Sequence, residues 1–594
     1  MWSAFLAISV AFPIVLLPLG ICSSKIRGKF GILKILMAVT FVSLLAIFVP
    51  VHVAMSEINL LGIAKSIFLS LFNAIQVFAI GTEFQVVLDS IPFCPAEVSG
   101  LFLLWASILF FIAPLLTFGF LLSLFKNLWA YIIYRLHKTG DVYVFSSLNE
   151  KSLSLAKDIS KNNKKIVVVF TDVMEEDEKA DNELVEQAKK LNAIIFTKDV
   201  TSINFAKHSS SAKISFFAMG EDESENLDQT LNIVERYRNR KNTHVFLFST
   251  NAECEPLLSQ LQRGEVKLRR INENISIINR LLYETGNRLF ESAHPAISEG
   301  EKRRISAVVV GMGGIGTEMV KALSWYCQMD GYHLKITAFD KDPLAEDKFV
   351  ALVPELMSPQ YNGVEIEGEA QYDISVIPNT DVFTKSFADK LSKITDASYV
   401  LVSLGDDNLN VQTAMLLRTY FERMKIHPVI QAIVYDSDRT RSLTGAKNFK
   451  GQPYDIEYIG DLDSSYTEKV IIDSELEDEA LLRHLRWGKE EDFWTYEYNY
   501  RSSMASALHK KAKEWCKIPG VSQKEETLTE AERDALETLE HKRWNAYMRS
   551  EGYIYSGSKD RESRNDLAKM HHDLVDFSSL SEEDKRKDSI ISTN

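Results

Sequence analysis

The sequence predicts a membrane-embedded α-helical N-terminal part, followed by a soluble α/β part made of two tandem Rossmann-like domains and a small helical module at the C-terminal end. Three observations carry this expectation. Nearly every long apolar run of the 594 residues lies before Lys138. Beyond it, short β-rich runs alternate with amphipathic stretches, the pattern of parallel α/β folds. One strand-to-helix junction, Gly311-Met-Gly-Gly-Ile-Gly316, completes a G-x-G-x-x-G. The length requires several domains, each with its own core, and the composition shifts divide them at 1–138, 139–290, 303–440, 441–523 and 524–594.

In the first part, the runs 1–22, 35–55 and 101–125 reach the roughly 18 to 20 mainly apolar residues that cross a hydrocarbon core. The first is expected to be a retained helix, because its charges follow the apolar run, whereas a signal peptide begins with them. The basic clusters at 25–34 and 126–138 mark cytoplasmic loops, so an even number of spans separates them. The runs 35–55 and 101–125 supply those two, which makes 59–80 a re-entrant or surface helix on the outer side. The expected topology is three spans, N-terminus outside, in the inner (plasma) membrane, with the lipid bilayer as first partner and the soluble domains cytoplasmic.

All four acids of residues 1–138 (Glu57, Glu83, Asp89 and Glu97) fall in the outward segment. The order of outer helix, non-spanning helix, short polar stretch and inner helix resembles the pore module of potassium channels. Residues 79–85 occupy the filter position, but the T-V-G-Y-G whose carbonyls replace an ion's hydration shell is missing, so potassium selectivity is not implied. Thr82, Glu83 and Gln85 are the candidate pore residues. Repeated around a symmetry axis, Glu83 makes a carboxylate ring that favours cations; the other reading is a solvated loop above an anchoring bundle.

Residues 1–138 carry a formal charge of +4 and the remainder −18. A soluble part that acidic repels polyanions, which excludes nucleic acid as the main partner. The five cysteines are scattered without metal-ligand spacing, as in a reducing compartment.

The first α/β domain has strands expected at 141–145, 166–170, 194–196, 216–218 and 245–248. The second opens with 307–310, the glycine motif, and the strand 334–339 ending at Asp340. Gly311, Gly313 and Gly316 allow a tight turn and close approach of backbone to a pyrophosphate. The helix N-terminus holds the anion and Asp340 grips a ribose. The alternative is that these glycines only permit tight strand-helix packing. The equivalent turn of the first domain, 146–152, has no glycine.

The domains also echo one another. Phe216-Phe-Ala-Met-Gly-Glu-Asp222 with Asn226 matches Leu401-Val-Ser-Leu-Gly-Asp406-Asp407 with Asn410. This repeat, over about 140–440, resembles the RCK domains, regulators of potassium conductance. The resemblance implies the gating-ring arrangement of large-conductance potassium channels, hence a homotetramer. The tandem domains lack G-x-S-x-G and any Cys/His grouping, which suits ligand sensing better than catalysis.

Between 436 and 523 helices are expected at 474–487 and 502–515, while Tyr496, Tyr498 and Tyr500 alternate as on an extended segment. Trp487, Trp494 and Trp515 read as packing residues. The last stretch begins with a helix bearing His541, Arg543, Trp544 and Arg549, followed by Gly552 and Tyr553. With His572, Leu574 and Leu580 it resembles the RyR domain of ryanodine receptors and bacterial proteins, although Gly552-Tyr553 replaces the usual Gly-Trp. The resemblance implies nucleotide sensing, for which an aromatic face stacks on a base and His541, Arg543 or Arg549 meets phosphate. Packing of His541 and Trp544 in the core is the competing reading.

The sequence as a whole thus predicts a ligand-gated ion channel, cation-conducting, opened by a small nucleotide-like ligand: NAD, another adenine nucleotide or a nucleotide-derived signal. The domain order resembles prokaryotic antiphage defence effectors. The alternatives are a membrane-tethered NAD(P)-dependent oxidoreductase and a non-conducting nucleotide sensor.

Overall fold

The apolar runs at the start of the chain fold as helices α1 (Trp2–Cys22), α2 (Ile32–Ala54), α3 (Leu60–Phe78) and α4 (Ala96–Leu136). The structure, a computed structural model, describes the chain except for residues 23–31, 58, 138–139, 163–164, 174–178, 206–207, 210, 253, 299, 358–371, 524 and 586–594. It divides into two units, Met1–Leu136 and His137–Asn594. Most of the basic cluster at 25–34 and its counterpart Lys138 lie outside the described residues.

Three helices, Leu33–Ala54, Leu60–Phe78 and Ala96–Leu121, are long and apolar enough to cross a membrane by length and composition. The stretch 59–80, expected not to span, therefore forms a helix of 19 residues, about 28 Å long and close to the roughly 30 Å of a hydrocarbon core. It buries Ser66, Ser70, Ala74 and Val77, a stripe of small side chains that lets helices approach closely. Ser66 Oγ donates to the carbonyl of His52 on α2 at 3.2 Å. The other faces of α3 expose Phe68, Phe72 and Ile75. Ser9 ties three helices together: its Oγ donates to Ser43 O at 2.9 Å and accepts Trp105 Nε1–H at 2.8 Å. At 41 residues, α4 is about twice as long as a bilayer core requires.

In the second unit, β-branched and aromatic runs build two parallel six-stranded sheets. The first contains β1 (Asp141–Phe145), β2 (Ile166–Phe170), β3 (Ile194–Ile195), β4 (Ile214–Ala218), β5 (Thr243–Phe248) and β6 (Val266–Ile271), in the order β3-β2-β1-β4-β5-β6. The second contains β7 (Arg303–Val310), β8 (Tyr332–Phe339), β9 (Tyr372–Ile377), β10 (Tyr399–Val402), β11 (Val429–Ile433) and β12 (Ile456–Ile459), in the order β12-β11-β10-β7-β8-β9. Both are doubly wound Rossmann orders with a switch point beside the first strand, where ligands of such folds bind. Because β12 completes the second sheet, that domain extends past the expected boundary at 440. Its sixth strand was hidden in polar sequence because it is an edge strand.

The repeated acid-and-asparagine turns are structural devices. Asp222 caps its helix through the N–H groups of Ser224 and Glu225, and Asn226 accepts Gly220 N–H at 2.7 Å while donating to Phe248 O at 3.1 Å. Asp406 and Asn410 repeat this with Leu409 N, Leu404 N at 2.6 Å and Ile433 O at 2.8 Å. Each asparagine thereby ties the fourth strand's exit to the end of the fifth.

The two Rossmann folds are interlocked. Helix α5 (Glu273–Thr285), which follows β6, joins the core of the second fold through Ile278, Leu281 and Leu282. In return, Tyr466, Ile471 and Ile472, which follow β12, pack in the core of the first. The chain then adds α6 (Glu475–His484), α7 (Glu497–Trp515) and α8 (Glu530–Ser550). Thr529 and Glu532 form a capping box at the start of α8, fixing where that helix begins. Tyr498 and Tyr500 lie in the first turns of α7 and not on an extended segment.

Candidate functional site

The glycine motif sits where the sequence places it. Gly311 has φ +98°, and a Cβ there would fall 2.4 Å from Ser403 O. A Cβ on Gly316 would fall 1.7 Å from Gly311 O, so the helix Gly314–Tyr326 packs directly on the turn, whereas Gly313 faces open space. Gly311, Gly313 and Asp340 line a cleft of about 410 Å³ at the switch point, and Gly316 is not part of its lining. Two observations bear on its chemistry. Asp340 Oδ2 accepts the Met312 N–H at 2.6 Å and Oδ1 accepts the Asp342 N–H at 2.7 Å, so the carboxylate secures the glycine loop. Asn274 packs on Gly314, its Nδ2 only 2.5 Å from where a Cβ would stand, and so crowds the helix N-terminus where a pyrophosphate would sit. Gly311 and Gly316 therefore meet the tight-packing role, and Gly313 does not.

A second cleft, of about 380 Å³, opens between α6, α7 and the C-terminal module and brings together His541, Arg543 and Trp544. The serines Ser502, Ser503 and Ser506 line it from α7, and their small side chains leave the space open. Trp487 is held at its edge by a short loop: His484 stacks edge-on at 4.2 Å and its Nε2 donates to Lys489 O at 3.0 Å. Gly488 must lack a side chain, since a Cβ would stand 2.4 Å from His484 Nε2. Trp544 is half-buried, with His541 stacked at 5.7 Å and His571 edge-on at 5.0 Å. His541 Nε2 donates to Val575 O at 2.8 Å, and Asn545 Nδ2 donates to the same carbonyl at 2.8 Å. The imidazole thus positions the returning chain.

Beneath the cleft lies a buried charge cluster. Glu540, fully buried, accepts Arg543 Nη2–H at 2.6 Å and Ser506 Oγ–H at 3.1 Å on Oε1, and Lys513 Nζ–H at 3.3 Å on Oε2. Arg483 Nε donates to Ser506 Oγ at 3.0 Å. Burial alone pushes the Glu540 carboxyl up, but Arg543, Lys513, His509 and Arg483 together hold it well below the usual carboxylate range. Burial drives Lys513 down to about 8 and His509 down to about 4, so the lysine stays charged and the histidine neutral at pH 7. Arg543 and Lys513 thus share one carboxylate, and Arg483 joins it through Ser506. Arg543 is 1% exposed, and its Nε and Nη1 have no hydrogen-bond partner.

Two expected ligand residues lie elsewhere. Arg549 points to the second Rossmann fold, with Nε 3.8 Å from Glu355 Oε2 and Nη2 3.4 Å from Leu574 O. Tyr553 donates to Asp566 Oδ1 at 3.3 Å, away from the cleft lining. The reason is helical geometry: at about 100° per residue, six residues place Arg549 about 120°, a third of a turn, around α8 from Arg543. Conversely, Arg483, Trp487, Tyr498, Arg564 and His571 line the cleft and were missed or read as core. A signal for Arg483 existed, since with Leu476 and Ala480 it continues the buried stripe of α6.

Among the described residues, His571, His572 and Asp573 bring three potential metal-ligand atoms within 4.8 Å. His571 Nδ1, however, already accepts the Asp573 N–H at 3.1 Å, a bond that occupies the one acceptor nitrogen of the neutral ring. A third cleft, of about 220 Å³ beside α5, is lined by charges that are already paired, Arg270 with Glu497 at 2.6 Å and Arg280 with Glu284 at 2.9 Å.

At the expected filter position the backbone reverses tightly: Ile80 has φ 59° and Gly81 N donates to Gln76 O at 2.8 Å. A helical turn, Gln85–Leu88, follows at once, so no extended row of carbonyls forms there. Thr82 Oγ1 donates to Gln76 Oε1 at 3.2 Å, Gln85 Nε2 donates to Asp89 Oδ1 at 2.7 Å, and Glu83 is exposed.

No family model matches this chain, and no curated protein matches it.

Proposed function

We propose that the protein is a membrane-embedded receptor for a small nucleotide-derived anion, captured in the cleft of Arg543 and Trp544, and that capture opens a cation-conducting path through the membrane unit of a homotetramer. The carrying observation is the cluster under that cleft, in which the fully buried Glu540 accepts from Arg543 and Lys513 while Arg543 keeps Nε–H and Nη1–H without a hydrogen-bond partner among the described residues. A buried donor left without an acceptor is costly, and the oxygens of an anionic ligand supply the acceptors that Arg543 lacks. Trp487 and Trp544 offer aromatic faces for a base.

The channel half of the proposal draws on the chain path. Helix α4 runs from its membrane-length segment without a break to Leu136, and β1 begins at Asp141. Movement in the first Rossmann fold is therefore delivered to a membrane helix through a very short connection. The RCK and RyR resemblances belong to the same proposal. So does the three-span topology: if α3 crossed as well, the two basic clusters would face opposite sides, against the positive-inside rule. In this arrangement Glu83 lies in the outer vestibule.

The test is cation flux from liposomes carrying the full chain, with nucleotides added on the side of the soluble unit. The proposal requires saturable, ligand-dependent flux. Ligand binding without flux at any concentration would leave a non-conducting sensor in its place.

A further inference from the structure

We infer that Asn274 seals the anion seat of the glycine turn, so that the second Rossmann fold takes no dinucleotide and uses the turn as the seat of α5 instead.

A dinucleotide-binding fold offers its pyrophosphate the free N–H groups at the start of the helix that follows the glycines. Here that helix starts at Gly314. The whole carboxamide of Asn274 lies against this residue. From the point where a Gly314 Cβ would stand, Nδ2 is 2.5 Å away, Cγ 3.1 Å and Oδ1 3.5 Å. One residue earlier, a Cβ on Gly313 would meet nothing within 4 Å. The cleft is therefore open as far as Gly313 and blocked at Gly314.

The block is held by its backbone. Asn274 stands in the first turn of α5, and α5 lies parallel to the Gly314–Tyr326 helix: Asn274 meets Gly314 at one end, and Tyr326 Oη donates to Leu282 O at 3.2 Å near the other. Between these points Ile278 and Leu281 share a buried core with Met319, Val320 and Leu323. The start of α5 is also tied to the first fold, where Glu273 Oε2 accepts Lys151 Nζ–H at 2.7 Å. The backbone of Asn274 cannot withdraw unless α5 leaves both folds.

The charges agree with the packing. The charged side chains that line the cleft are Asp340, Lys341 and Asp381. One cation faces two carboxylates there, and a pyrophosphate adds further negative charge. Size is not the obstacle, since about 410 Å³ falls within the roughly 300–1,000 Å³ of small-molecule sites. A single side chain closes the anion seat, so its removal should produce a gain of binding.

The experiment is calorimetric titration of the full chain in detergent with NAD, on wild type, Asn274→Ala, Gly313→Leu and the double variant. Alanine suits a helix, and the side chain brought in by Gly313→Leu fills the open part of the cleft and so marks any binding there. Binding at the C-terminal cleft is common to all four proteins and cancels. Wild type and Gly313→Leu are expected to give the same isotherm. Asn274→Ala should bind NAD at least about tenfold tighter than wild type, and the double variant should lose that gain. Asn274→Ser, which also lacks the carboxamide, is the second variant should Asn274→Ala melt far below wild type. Wild-type binding of NAD that Gly313→Leu abolishes would overturn the inference and restore the reading of this fold as part of a NAD(P)-dependent oxidoreductase. A folded Asn274 variant with the wild-type isotherm would overturn it too. Either result leaves the proposal for the C-terminal cleft standing.

Discussion

Replacing Glu540 by glutamine tests the charge cluster directly. The substitution keeps the shape but removes the only carboxylate that Arg543, Lys513 and Ser506 share, at 2.6, 3.3 and 3.1 Å. Two buried cations, Arg543 and Lys513, then face a neutral amide whose NH₂ group points at one of them. Breaking a buried ion pair by removing one partner typically costs ~3–5 kcal/mol, and this site is fully enclosed, so solvent offers no relief. A domain of this class moves by roughly 2–4 °C per kcal/mol, giving a drop of roughly 6–20 °C. The assay is thermal unfolding of the full chain in detergent at one fixed scan rate. A phosphorylated ligand is expected to restore part of the loss, since it supplies negative charge to the same cations. A melting temperature within about 1 °C of wild type would refute the account of the cluster, because it would mean that the cations find compensation elsewhere.

Glu355 gives a pH-dependent prediction. Burial pushes its carboxyl up to about 7, against the Tyr555 N–H and Arg549. A raised carboxyl favours the folded state while protonated, so its contribution is present below about pH 4.5 and is lost as pH rises to about 7, at most about 3 kcal/mol. Urea midpoints from pH 5 to 8 should fall less steeply for Glu355→Gln than for wild type, and parallel curves would contradict this. In the glycine turn, Gly316→Ala should prevent the second Rossmann fold from packing, while Gly313→Ala, in open space with an ordinary φ of −70°, should melt like wild type. If the two variants melt alike, the turn geometry is wrong. In the membrane unit, Glu83→Gln should lower cation-over-anion permeability in reversal-potential recordings and leave nucleotide affinity untouched; unchanged selectivity would remove Glu83 from the permeation path.

The sequence made the fold legible where hydrophobic pattern is strong. The glycine motif between two β-rich runs, and the repeated turns at Asp222 and Asp406, located both Rossmann folds. The strands β6 and β12 were not legible, although the outer strand β3 was: β6 carries Lys267, Arg269 and Arg270, and β12 is a four-residue edge. Apolar alternation is weak in both. At the site, His541, Arg543 and Trp544 were found because they sit together on one helix. Arg483, Trp487 and Tyr498 come from segments some 45 to 60 residues earlier, and only tertiary packing brings them there. Arg549 and Tyr553 lie apart from the cleft although they are near in sequence: α8 turns Arg549 toward Glu355, and Tyr553, past the end of α8, bonds Asp566. The helix α3 showed in the sequence only as a semi-apolar run, because its buried face is made of serine and alanine.

Everything proposed here joins a soluble cleft to membrane helices, so binding and conduction must be measured together. Liposomes carrying the full chain, titrated with the tightest-binding nucleotide, should be read at once for tryptophan fluorescence, to which Trp487 and Trp544 contribute two of eight indoles, and for cation flux. The account predicts saturation of both signals over the same concentration range and loss of both in Arg543→Met. Saturated fluorescence in the wild-type protein with flux no greater than in unliganded liposomes would contradict it.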